Sequence, residues 1–430
     1  MKFLCKKAAA LVVAAVCGVS ATGMAHAAES ISGGRYGQVK LTKPTGDMTG
    51  FVVLFSEKSG WTPADQQAAD ALAAKGAMVI GVDTPRYAAR VAADKTEKSC
   101  HNLVGDAENM SHQLERTVQS NHYFSPILVG TGQGGILAES SLKQAPDNTV
   151  AGAVSLSADA QLDARFRPCP PDSTIIHAKG LPGFLERGVL QPERTKADAL
   201  VAMTAPHLKK PEPPTESDVS DLPLIELRAA QPTDLLAIVI SGDGGWRDLD
   251  KTMALALQRD GVSVIGIDSL RYFWSEKTPQ QTANDLARII RTYNARWHTS
   301  HVALVGYSFG ADVMPFAYNR LPEEARAQVS YISLMGFSPE ADFQIRVTGW
   351  LGMKASEKAL KVRPELNKLP PSMVQCIYGE KEEDTLCPAL TNTGIDVVKL
   401  PGDHHFGGDY DALARRILAG WRKQIAARQG

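Results

Sequence analysis

Charge of one sign is what this 430-residue sequence has least of: 46 Lys and Arg stand against 47 Asp and Glu, a net charge of −1. So even a balance gives no global basic field for nucleic acid. Long apolar runs are missing too. After residue 27 no stretch approaches the ~20 apolar residues of a membrane-spanning helix, which excludes a polytopic membrane protein. Cysteine is scarce, at six residues. Glycine (36) and proline (25) fall short of collagen-like or low-complexity levels, and 44% hydrophobic with 22% charged residues is a globular composition. At ~100–200 residues per domain, the length predicts two domains.

What is present begins with an export signal. Lys2, Lys6 and Lys7 form a basic start, residues 8–19 an apolar stretch, and Ala25-His26-Ala27 a small-x-small cleavage site. We therefore expect residues 1–27 to be a cleaved signal peptide. Val16 before Cys17 argues against lipoprotein processing. The cysteines beyond the signal are Cys100, Cys169, Cys376 and Cys387. An even number in an exported chain predicts disulfides, and pairing Cys376 with Cys387 and Cys100 with Cys169 keeps each bond within one half of the chain.

The halves are related. Residues 51–87 realign with 236–272: Gly60-Trp61 meets Gly245-Trp246, Gly81 meets Gly266, and Asp83, Arg86 and Tyr87 meet Asp268, Arg271 and Tyr272. ILVGTGQGG (127–135) then parallels ALVGYSFGA (303–311). Each copy alternates apolar strands with helical stretches, the pattern of a parallel sheet with crossover helices. A proline- and acid-rich segment, 209–221, reads as a linker between domains at 35–208 and 222–428. In the second copy, strands are expected at 236–241, 262–268, 301–307, 329–335, 373–378 and 396–400. Helices are expected at about 248–260, 279–297, 309–321 and 409–427.

Chemistry concentrates in the second copy. Gly306-Tyr307-Ser308-Phe309-Gly310 is a G-x-S-x-G between an apolar strand and a helix, the context of a nucleophile elbow. The sharp turn lifts the serine hydroxyl clear of the sheet, and flanking glycines relieve the crowding. A serine needs a base, and the base an orienting acid, in the chain order Ser, acid, His. The loop Gly379-Glu380-Lys381-Glu382-Glu383-Asp384 follows one late strand, and Pro401-Gly402-Asp403-His404-His405 follows the next. Loop position selects Asp384 as the acid, with Glu382 and Glu383 as runners-up, and His404 as the base, with His405 as the alternate. Adjacent side chains in an extended loop point opposite ways, so one histidine alone faces Ser308. The oxyanion hole is expected from the amide of Phe309 and that of Asp243, or else Gly244, in the loop Ser241-Gly242-Asp243-Gly244-Gly245.

In the first copy Gly132 replaces the serine, and Ser56-Glu57-Lys58-Ser59 replaces the glycine-rich loop. Its G-x-G-x-x-G resembles a dinucleotide fingerprint, but the repeat explains it better as an elbow without a nucleophile. We therefore expect two tandem α/β-hydrolase-like domains with mostly parallel sheets, the first catalytically degenerate. Glu380, Glu382 and Asp403, on loops converging on the serine, are candidate contacts for a cationic substrate. The stretch 340–371 interrupts the strand pattern. Its Trp350-Leu351-Gly352-Met353, beside Lys354, Lys358 and Lys361, suggests a cap or a surface that touches anionic lipid.

ISGDGGW, IGIDSLRYFW, GYSFGADVMPFAYNRLP and PGDHHFGGDY together resemble the VirJ/AcvB family of bacterial periplasmic, virulence-associated proteins, and the tandem arrangement resembles its AcvB type. The resemblance covers essentially the whole chain after the signal. It implies a periplasmic location and serine chemistry at Ser308. The implied reaction is hydrolysis of aminoacyl-phosphatidylglycerol, releasing lysine or alanine, with no metal or cofactor. The implied partners are aminoacylated phospholipid at the membrane surface and, through the first domain, a secretion-system or envelope component. A general esterase or thioesterase, and a non-catalytic secretion accessory protein, are the alternatives.

Overall fold

The computed structural model describes residues 29–95, 99–146, 149–170, 180–209, 219–346 and 356–429. The expected signal peptide, most of the linker at 209–221 and the Trp350 patch lie outside the described residues. Strands β1 (Glu29–Ser32), β2 (Gln38–Thr42), β3 (Gly50–Phe55), β4 (Ala77–Val82), β5 (Ile127–Thr131), β6 (Gly152–Leu156) and β7 (Phe184–Gly188) form one sheet. Between them run helices α1 (Pro63–Ala73), α2 (Thr84–Ala93), α3 (Val104–Thr117) and α4 (Gln133–Gln144), with α5 (Lys196–Thr204) after β7. The second half supplies β8 (Leu224–Leu227), β9 (Leu235–Ile240), β10 (Ser263–Ile267), β11 (His301–Tyr307) and β12 (Val329–Met335). The short pair β13 (Glu340–Ala341) and β14 (Leu360–Lys361) precedes β15 (Val374–Gly379) and β16 (Asp396–Leu400). Its helices are α6 (Asp248–Arg259), α7 (Ser269–Tyr272), α8 (Pro279–Trp297), α9 (Phe309–Asn319), α10 (Glu323–Gln328), α11 (Val362–Leu366) and α12 (Tyr410–Gln429).

Each half forms its own seven-stranded sheet, in the orders β1-β2-β4-β3-β5-β6-β7 and β16-β15-β12-β11-β9-β10-β8. Five strands of the first and six of the second pair parallel, β2 and β8 are the matching antiparallel neighbours, and β1 pairs antiparallel with β2. The copies differ at their edges. The first adds β1 beyond β2, whereas the second adds β16 beyond β15. β1 also reaches back to Glu29, before the start at 35 expected from the sequence.

The apolar strands are continuous because both sheet faces are covered. In β9, Leu236, Ile238 and Ile240 pack with residues of α8 and α9, while Leu235, Ala237 and Val239 pack with residues of α6 and α12. The expected strands of the second copy all form, with ends shifted by at most a residue or so. β8 and the one-turn helix α7 were not foreseen. Four residues, LIEL, are too few to display a period, and their pairing to β10 is a tertiary event.

The repeated Gly, Trp and Asp have one geometry in both copies. A Cβ on Gly81 would lie 2.1 Å from the Trp61 ring, and one on Gly266 would lie 2.4 Å from the Trp246 ring. Asp83 and Asp268 cap the helices that follow, accepting the amides of Arg86 and Arg271 at 3.1 and 3.2 Å. Both expected disulfides are present, Cys100–Cys169 and Cys376–Cys387.

Candidate active site

Ser308 stands between β11 and α9 at φ 51°, ψ −119°. Few side-chain-bearing residues adopt such a conformation, and it costs of order 1–3 kcal/mol. The neighbours that tighten the turn have no room for a side chain. A Cβ on Gly306 would lie 2.6 Å from the Ala311 backbone, and one on Gly310 would lie 2.1 Å from the Ile240 carbonyl. The amide of Ser308 donates to the carbonyl of Met335 at 2.8 Å, locking the turn to the end of β12. Phe309 supplies the first amide of α9, one of the N–H groups a helix leaves without an internal partner.

The end of β12 also receives the histidine. A Cβ on Gly336, whose φ is +57°, would come within 2.8 Å of His404 Cε1 and 3.1 Å of Glu382 Oε1. A bare backbone at 336 therefore lets the loops after β15 and β16 close down beside Ser308. His404 Nδ1 donates to Glu382 Oε1 at 2.5 Å, and the Gly379 amide donates to Glu382 Oε2 at 2.6 Å. The Glu382 side chain is 9% exposed and that of His404 41%. With both carboxylate oxygens engaged, Glu382 fixes the imidazole and directs Nε2 away from the acid.

This corrects the acid expected from loop position. Asp384 is exposed, and the carboxylate on His404 belongs to Glu382, two residues earlier. The loop turns back at once through Glu382 N to Gly379 O at 3.0 Å, so its near end, not its far end, faces the histidine. The same geometry removes Glu382 from the expected substrate contacts, because both its oxygens are taken. Glu383 is exposed. Glu380 and Asp403 are exposed on the rim, and the backbone amide of His405 holds the Asp403 carboxyl below its usual range. His405 is exposed and turns to the Tyr307 hydroxyl, 3.5 Å from its Nδ1.

The loop after β9 forms the facing wall. The Gly245 amide donates to the Gly242 carbonyl at 3.1 Å, closing a turn over Asp243 and Gly244, both half-buried. A Cβ on Gly242 would lie 3.7 Å from that of Ser308. One further group was missed. Asp312, in the first turn of α9, is buried, accepts the Ser338 amide at 2.7 Å, and has its carboxyl pushed well above the usual range by burial. Its position one helical turn after Ser308 was the signal available.

The first copy keeps the backbone of this site and discards its chemistry. Gly132 has φ 58°, ψ −119°, nearly the angles of Ser308. Glu57 aligns with Gly242, and its Cβ lies 3.8 Å from where a Cβ on Gly132 would be. Bulk has changed sides, from the elbow to the facing loop. Lys196 ties Glu57 to Asp65 at 2.8 and 3.0 Å. Among the described residues the first sheet ends at β7, with no counterpart of β16 to carry a histidine.

Comparison with known proteins follows the same division. The family described as bacterial virulence protein (VirJ) matches residues 49–154 and 234–425, one segment in each half. The chain belongs to the VirJ family. No curated protein matches it. Among solved structures, this VirJ-family chain is similar to Est1E from Butyrivibrio proteoclasticus, at 13% identity and a TM-score of 0.35, covering 49% of this chain and 97% of that one. It is similar to an alpha-beta serine hydrolase homologue from Coxiella burnetii, at 16% identity and a TM-score of 0.32, covering 46% and 89%. A serine hydrolase without a lid from Xanthomonas campestris gives 17%, 0.31, and 50% and 97%.

Proposed function

We propose that this VirJ-family chain is a serine carboxylic-ester hydrolase whose nucleophile is Ser308. The observation that carries the reading is the His404–Glu382 pair set against the same strand end that locks the Ser308 elbow. Ser308 Oγ attacks the ester carbonyl while His404 Nε2 takes its proton, and Glu382 stabilises the imidazolium through Nδ1–H. The amide of Phe309, with that of Asp243 or Gly244, receives the oxyanion. Collapse expels the alcohol, protonated by His404, and water then attacks the acyl-enzyme by the same route in reverse.

The substrate we propose is the aminoacyl ester of phosphatidylglycerol, cleaved in the periplasm after removal of residues 1–27. Acyl transfer to Ser308 would release phosphatidylglycerol, and deacylation would release lysine or alanine. The family resemblance supports this reading, as does the acidic rim of Asp243, Glu380 and Asp403, which suits an ammonium group. The test is to incubate the purified protein and Ser308→Ala with vesicles carrying lysyl- or alanyl-phosphatidylglycerol and to quantify released amino acid by mass spectrometry. Release by the intact protein alone is expected. No release from either lipid by correctly folded protein would sink the substrate assignment.

A further inference from the structure

The half without a nucleophile grips two walls of the site in the other half. Glu108, on α3, accepts a hydrogen bond from Arg247 Nη1 at 3.0 Å, and the two side chains are only 11% and 18% exposed. Arg247 directly follows the Ser241–Trp246 loop, and its guanidinium folds back onto it. A Cβ on Gly244 would lie 2.9 Å from Nη2 and 3.1 Å from Nε. Glu108 thus holds a cation that lies flat on the backbone turn facing Ser308.

Two turns further along α3, Arg116 stacks 3.6 Å above the Trp274 ring. It donates to the carbonyl of Trp274 at 2.5 Å and to that of Ile345. Trp274 is fully buried, and its indole N–H donates to the Ser120 carbonyl at 3.0 Å. The adjoining Phe273 packs edge-on against Phe309, 4.9 Å between ring centres, and accepts the Ile345 amide at 3.0 Å. One grip therefore ends on the loop that faces Ser308, and the other beside a ring packed against Phe309, the residue after it. In the repeat, Arg247 and Trp274 align with Thr62 and Ala89, so the anchors belong to the second copy alone.

We propose that the first domain is an internal positioning subunit for the hydrolytic site, and that Glu108, acting through Arg247, is a positioning residue for the oxyanion loop. The inference rests on the serine-hydrolase reading above. A paired guanidinium pressed on Gly244 restrains the loop amides, and an ångström of drift in an oxyanion donor lowers turnover about a hundredfold.

The full chain is tested as Glu108→Ala, Arg247→Glu, Glu108→Arg and the last two combined. The readouts are kcat and KM on p-nitrophenyl butyrate, thermal melting, and hydrogen exchange of peptides covering 236–250. Glu108→Ala is expected to lower kcat at least about tenfold with KM within twofold, and to raise exchange at 242–247 without global unfolding. The swapped pair is expected to recover at least about tenfold over either single reversal. Unchanged exchange and kcat in folded Glu108→Ala, or no recovery in the swap, overturns the proposal. A wild-type protein whose Ser308 neither hydrolyses the ester nor reacts with a fluorophosphonate would end the hydrolase reading instead. The exchange difference then still decides whether Glu108 holds the loop.

Discussion

At the residue scale the site turns on which carboxylate meets His404. Glu382 holds the imidazole through Oε1 and is itself held by the Gly379 amide through Oε2, so Glu382→Gln should lower kcat by about a thousandfold or more, while Asp384→Asn stays within about twofold. Ester-hydrolysis kinetics on the two variants separate the assignments. The strand-to-helix turn at Ser308 and the place of His404 after β16 were legible because each sits in a motif that a strand end must present. The carboxylate that meets His404 was not. A loop reading Gly-Glu-Lys-Glu-Glu-Asp offers four carboxylates, and only its path back onto Gly379 selects one. Ser308 carries a second consequence, because its backbone angles suit glycine. Ser308→Gly should abolish hydrolysis yet raise stability to urea by about 1 kcal/mol, as relieved strain outweighs glycine's extra chain entropy. A loss of stability in that variant would show that the hydroxyl also anchors the fold.

At the element scale the acid's loop is tethered. Cys376 lies on β15, Cys387 beyond the loop, and Glu382 between them. Cross-linking so short a loop restricts the unfolded chain by about 3 kcal/mol. Cys376→Ala combined with Cys387→Ala should therefore unfold at lower denaturant, with kcat falling severalfold as the acid's loop loosens. Equal kcat with intact binding would show that Glu382 is held by Gly379 and His404 alone. The pairing was readable from the sequence because each bond stays within one half. β16 was readable as an apolar run before the histidines, but its placement at a sheet edge with no counterpart among the described residues of the first copy was not. Edge order is decided by which strands pair, which no single segment encodes.

At the scale of the whole molecule, the contact between the halves is sensitive to acid. His112 on α3 is buried beside the rings of Tyr123 and Trp274, and burial, with Arg247 and Arg116 nearby, lowers its pKa to about 4. The unfolded chain takes up that proton near pH 6.5, the folded chain only near 4. The stability associated with a neutral His112 is therefore complete above pH 6.5 and lost as pH falls toward 4, by up to roughly 3 kcal/mol. His112→Phe should flatten the dependence of the melting temperature on pH across that window, and an unchanged slope would place the titrating group elsewhere. This interface left no trace in the pattern of either half. Trp274 reads as one more core aromatic, and Glu108 as one more charge on a helix. Their partners lie more than a hundred residues away in the chain.

The exchange of bulk between Gly132 and Glu57 bars a simple return of serine to the first elbow. Glycine holds the bend at 132 without strain, and the glutamate opposite lies against the elbow, tied there by Lys196. Return would require the glutamate to withdraw and a serine to appear together, since a side chain at 132 would meet Glu57 Cγ at 3.3 Å. Either step alone gains nothing. Gly132→Ser alone is therefore not expected to give the first half hydrolytic activity.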